Sequence, residues 1–248
     1  MDGSIVSYGL QYTGYLIEAG LLLYLALSTQ RKRQAGLAFY LSLLLAAEVA
    51  RACVLHVYGM ASRRYFYVYW STDFLLVVAA FLLVCLFFRR ACLHEEKIWR
   101  FARLLLVFVF VIVLGISGLI FSHNYGDPWL YFYYFVFEFN QNLYFACLVL
   151  NTLLYLLLQQ IDSADDQLGL LVCGVGIQFA GPAATLALVH LTSAERFALA
   201  LNFFAIPLCT LGMLLVWAYA IARVPDTASE VARRKPPALA EVTADLNV

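Results

Sequence analysis

Five acidic or basic side chains sit inside long apolar stretches of this chain: Glu18, Glu48, Arg51, Asp73 and Glu138. In a hydrocarbon environment such groups are costly, and they normally face the interior of a helix bundle with a partner. Glu48 and Arg51 are three residues apart, so on a helix they share a face and can pair. Glu138, Gln141 and Asn142 stand three and four apart and make one polar stripe. Four carboxylates meet one guanidinium, so at least two carboxylates have no basic partner. Such groups either carry a proton or await a cationic ligand. Two readings follow: a hydrogen-bonded network that fixes helix register, or a site for a small ligand or ion. The candidate ligand-binding residues are Arg51, Asp73, Glu138 and Asn142, supported by Glu18 and Glu48. Gln178 and Asn202 are candidates for the same layer, and Pro182 and Pro207 each remove an intrahelical donor near it.

The elements that position these groups are apolar and helical. Hydrophobic residues make up 64% of the 248 residues and charged residues 13%, and the charges gather between the apolar stretches. From Leu168 to Ala194 there is no Asp, Glu, Lys or Arg. About 20 apolar residues cross a hydrocarbon core roughly 30 Å thick. Seven spans are expected, at Tyr8–Ser28, Ala35–Tyr58, Tyr65–Phe88, Trp99–Phe121, Trp129–Leu158, Leu168–His190 and Phe197–Ile221. The fold class is all-α: a polytopic bundle of seven transmembrane helices over residues 1–223, with a disordered tail over 224–248. The connections are short, so sequential helices should be neighbours. The first span lacks the basic start and small-residue cleavage site of a secretory signal.

Basic residues set the expected orientation. Of the 16 Lys and Arg, twelve lie in the first, third and last polar segments, around Arg31–Arg33, Arg89–Arg103 and Arg223–Lys235. Only Arg63, Arg64 and Arg196 lie on the other side. Basic residues mark the cytoplasmic side, which puts the N-terminus outside and the tail in the cytoplasm. With helix rise of 1.5 Å per residue, Arg51, Asp73 and Glu138 then lie roughly 10–13 Å from the outer helix ends, and Glu18 and Glu48 roughly 15 Å. The expected pocket is therefore in the outer half of the membrane.

Aromatic residues crowd the same end, at Tyr65–Trp70 and Trp129–Tyr134. Tyrosine and tryptophan favour the interface, and their density also suits a pocket mouth for a planar or cationic ligand. His56, His123 and His190 recur every 67 residues. The first two open His-x-Tyr-Gly, each followed by Tyr-Phe-Tyr, which suggests a leading helix and three related hairpins. Three imidazoles near one surface are also candidates for zinc or copper, although no paired-histidine spacing supports it. The six cysteines form no CxxC pair and read as packing residues.

Several classes drop out. No lysine lies in the last span, so a retinal Schiff base is excluded. The third span ends Phe87-Phe88-Arg89-Arg90 and Pro207 is followed by Leu208-Cys209, unlike the motifs of G-protein-coupled receptors. Zero net charge argues against a nucleic-acid partner. The run Arg64-Tyr65-Phe66-Tyr67-Val68-Tyr69-Trp70, followed by an acidic residue and a long apolar helix, resembles uncharacterised seven-helix membrane proteins of bacteria. That resemblance implies architecture and carries over no activity and no catalytic residue; the absent motifs and very short loops favour a bacterial origin and an inner-membrane location, and the sequence assigns no cofactor. The expected function is receptor-like or sensory, with a small ligand in the pocket and a separate cytoplasmic signalling partner. The alternatives are a proton or small-cation transporter and a metal-dependent membrane hydrolase.

Overall fold

A computed structural model of the chain describes residues 2–27, 34–59, 62–93, 96–122, 128–160, 165–191 and 195–223. The side chains of 2–8, 10–11, 120–122, 128–131, 186–191, 195–204 and 223 are outside that description. So is the expected tail over 224–248. The described residues form seven helices and no strand: α1 Asp2–Leu27, α2 Ala35–Tyr58, α3 Arg63–Ala91, α4 Glu96–Ser122, α5 Pro128–Gln160, α6 Asp166–Leu191 and α7 Glu195–Arg223.

Six of these, α2 to α7, are long and apolar enough to cross a membrane. The described apolar part of α1 is the shorter segment Tyr12–Leu27. The chain is an integral membrane protein on this evidence. Span α2 has the expected bounds, and α3 to α7 extend one to three residues further at their ends. Caps account for some of this. The Tyr65 N–H donates to Ser62 Oγ at 3.1 Å, starting α3 two residues ahead of the apolar run. The Leu168 N–H donates to Asp165 Oδ1 at 3.1 Å, starting α6 two residues early. Both side chains satisfy donors that a helix start leaves free. Helix α2 ends at Gly59, whose φ of +75° suits glycine alone among common residues. This is the tight turn that Tyr58-Gly59 predicts; its counterpart at Gly126 lies outside the described residues.

Sequential helices pack as neighbours all along the chain, and α1 against α7 closes the ring. Helix α3 sits centrally: it touches α2, α4, α5 and α6. Half of its apolar window is buried, against 22% for α4. Helix α4 accordingly carries its large apolar side chains, including Phe101, Leu104, Phe108 and Leu119, on the outside. An outward apolar face suits lipid. The core runs through Leu41, Val84, Phe139, Leu154, Phe179 and Trp217.

The α6–α7 contact depends on close approach. A Cβ on Gly174 would stand 2.6 Å from Trp217 Nε1, and that indole donates to the Leu171 carbonyl at 3.0 Å. Small residues at membrane helix contacts allow this proximity.

Candidate functional site

The site is built around Arg51, about two turns before the end of α2. Its Nη1 stands 3.7 Å from Glu48 Oε1, the pair that the i, i+3 spacing predicts. The guanidinium then reaches across to α3. Nε donates to Thr72 Oγ1 at 2.7 Å, and Nη2 donates to Asp73 Oδ1 and to the Tyr69 carbonyl, each at 3.4 Å. The Arg51 Cζ also lies 4.6 Å from the Tyr69 ring centroid, a cation–π distance. Arg51 therefore ties α2 to α3 through Nε and Nη2, while Nη1 stands only at ion-pair distance from Glu48.

Two neighbouring helices complete the carboxylates. Tyr15 of α1 donates its hydroxyl to Glu48 Oε2 at 3.0 Å. Asn140 of α5 donates its amide to Asp73 Oδ2 at 2.6 Å. Glu48 and Asp73 thus share one cation and each accept a neutral donor. Charge-assisted bonds of this kind are about twice as strong as neutral ones.

Glu18 stands apart. It is 2% exposed, and its Oε1 has no hydrogen-bond partner. Beside it opens a cavity of about 160 Å³. Glu18, Glu48, Arg51 and Asp73 all line it, together with Tyr40, Tyr144 and Gln178. Six helices contribute, every one except α4. Gln178 Oε1 is a second acceptor in the lining with no partner. Pro182 lacks the N–H that would otherwise bond the Gln178 carbonyl. Pro207 itself lines the cavity. An uncharged wall of Leu44, Leu76, Val77, Phe179 and Leu211 surrounds the polar groups.

The fifth helix divides the expected layer. Asn142 Nδ2 donates to Ser117 Oγ of α4 at 3.4 Å, away from the cavity. Glu138 lies one turn earlier on that side, half-buried, and does not line the cavity. At roughly 100° per residue, Asn140 points almost opposite to Glu138. The residues that α5 turns towards Arg51's cluster are therefore Asn140 and Tyr144, not Glu138 and Asn142. Of the stripe read from Glu138, Gln141 and Asn142, Asn142 is bonded to α4, and none of the three lines the cavity. Tyr15, Thr72, Asn140 and Tyr144 were not singled out by the sequence reading. The spacing of Asn140 and Tyr144, i to i+4, is the one signal that marked a second polar face.

The aromatic runs also find each other. Phe66 lies 6.0 Å from Tyr133, Tyr67 lies 5.6 Å from Phe132, and Trp70 lies 4.7 Å from Tyr133. They form one cluster between α3 and α5 above Asp73, and such ring pairs each add about 0.5–1.5 kcal/mol.

Of the metal candidates, His56 is exposed at the end of α2. His123 and the side chain of His190 lie outside the described residues, as does the side chain of Asn202. Among the described residues no group of three His, Cys, Asp or Glu side chains is placed to hold a metal.

With this geometry in place, comparison with known proteins adds no family: no family model, no curated protein and no solved structure matches the chain.

Proposed function

We propose that the protein is a receptor-like membrane protein that holds a small ligand in this intramembrane cavity and relays its occupancy through the surrounding helices to a separate cytoplasmic partner. One observation carries the reading. A cavity of about 160 Å³ is lined by three carboxylates and a guanidinium, and six of seven helices form its walls. An engineered cavity near 150 Å³ admits a benzene-sized molecule, so the space suits a compact ligand. A ligand touching six helices can bias how they pack, which is the differential contact that a population shift requires. The basic-residue bias supports an outside N-terminus and an outer-half position for the cavity.

The test fills the cavity. Gly14 lines it, and a Cβ there meets nothing within 4 Å. Gly14→Leu is expected to preserve folding and abolish small-molecule stabilisation of the purified protein in lipid nanodiscs. A ligand that binds native protein and Gly14→Leu alike would refute the cavity as its site. A reporter fused after Asn247 is expected to read cytoplasmic; an external signal would reverse the orientation.

A proton or small-cation transporter is the second reading, favoured by Glu18 having no counter-charge. Ion flux into liposomes that Glu18→Gln abolishes would select it.

A further inference from the structure

We infer that the ligand of this cavity is a compact primary amine, bound in its protonated form with the ammonium against Glu18 and Gln178; the inference rests on the ligand-binding reading above. Three properties of the lining lead to it.

The first is the polarity of what is missing. Glu18 Oε1 and Gln178 Oε1 line the cavity and have no hydrogen-bond partner. Both are acceptors. Buried polar atoms are normally bonded, because an unmade bond in a low-dielectric site leaves the desolvation of that atom uncompensated. Their complement is a donor. A primary ammonium offers three N–H donors and no acceptor. A quaternary ammonium offers none.

The second is charge. Glu18, Glu48 and Asp73 line the cavity with one guanidinium, that of Arg51. Arg51 is committed to Glu48, Asp73, Thr72 and the Tyr69 carbonyl. Its charge is already shared between Glu48 and Asp73, and Glu18, 2% exposed, has no counter-charge of its own. An incoming cation supplies it; an incoming anion adds repulsion. Carboxylates buried without a partner are the costly case, and pairing relieves them.

The third is the body of the pocket. Leu44, Leu76, Val77, Phe179 and Leu211 form apolar walls around the polar end. A volume of about 160 Å³ takes a single ring or a short alkyl chain. This favours a monoamine over a polyamine or an amino acid.

The experiment titrates the full chain in nanodiscs with four probes that share a phenyl ring: benzylamine, benzyl alcohol, benzoate and benzyltrimethylammonium. Signal shared with the Gly14→Leu variant is subtracted as membrane partitioning. Benzylamine is expected to bind at least tenfold more tightly than the other three. Glu18→Gln, close in shape, is expected to weaken benzylamine at least tenfold while leaving the unfolding temperature of the empty protein equal or higher. Equal binding of the alcohol, benzoate or the quaternary probe overturns the amine assignment and leaves the cavity reading standing. Unchanged benzylamine affinity in Glu18→Gln does the same. Where Glu18→Gln fails to fold, the ranking of the four probes on the native chain decides alone. No cavity-dependent binding of benzylamine overturns the amine assignment. If a broad small-molecule screen then also yields no ligand lost in Gly14→Leu, the ligand-binding reading falls with it.

Discussion

Two arginines anchor two ion clusters in this molecule, and they are built on opposite plans. Arg90, near the end of α3, meets one acid. Its Nε and Nη2 both reach Asp165 Oδ2, at 3.1 and 2.8 Å, and Nη2 reaches Oδ1 at 3.2 Å. Asp165 also caps α6. Gln167 beside it donates to the Ala220 carbonyl at 3.3 Å, tying in α7. One charge meets one charge, at short distances and in fork geometry, and none of these groups lines the cavity. Arg51 instead faces three carboxylates around an open volume, at 3.4 to 3.7 Å from the two it pairs with. A balanced pair at helix ends locks the α3, α6 and α7 termini together. An excess of acid around a void leaves binding capacity unfilled. The imbalance, more than the presence of charge inside a bundle, separates a candidate site from a structural clamp.

The largest expected effect tests that imbalance. Arg51→Ala leaves Glu48 and Asp73 facing each other without their cation, and breaking a buried pair this way costs about 3–5 kcal/mol. The unfolding temperature should drop sharply. Adding Glu48→Gln and Asp73→Asn should restore much of the loss, because the uncompensated charges go with the cation. An unchanged unfolding temperature for Arg51→Ala would mean that water already screens the cluster, and the contrast with Arg90 would lose its meaning.

Arg90→Ala comes next. Arg90 and Asp165 are 14% and 21% exposed at the side chain, and Asp165 keeps its capping role. Charge-assisted bonds contribute about 1.5–3 kcal/mol, so a smaller destabilisation is expected, with benzylamine binding retained at native affinity. Loss of that binding in Arg90→Ala would show the two clusters to be coupled.

The smallest effect belongs to Asn142→Ala. The bond to Ser117 is 3.4 Å long, and a neutral hydrogen bond contributes about 0.5–1.5 kcal/mol. Chemical denaturation should show a shift within that range and calorimetry no change in ligand affinity. A large loss of affinity would return Asn142 and its neighbour Glu138 to the cavity.

Much of this was legible beforehand. Apolar length alone marks the helices, because a bilayer admits only backbone whose hydrogen bonds close internally. The i, i+3 spacing of Glu48 and Arg51 gave their pair, since neighbours on one helix need no tertiary information. The acid excess was visible in which charged residues fall inside the apolar runs: four carboxylates and one guanidinium. Helix starts were misplaced where a polar cap, Ser62 or Asp165, lies outside the apolar run and extends the helix beyond it.

What lies between helices was decided by rotation and packing. Composition placed Glu138, Asn140 and Asn142 at one level of α5, and only the direction in which α5 turns sends Asn140 to Asp73 and Asn142 to Ser117. Likewise nothing in the sequence pairs Asp165 with Arg90; the fold brings them together across 75 residues. A single sequence records the period of each helix but not its angle about its own axis within the bundle. That angle is set by the fit of side chains such as Trp217 over Gly174, and so the membership of the cavity belongs to the tertiary structure while its chemistry was written in the chain.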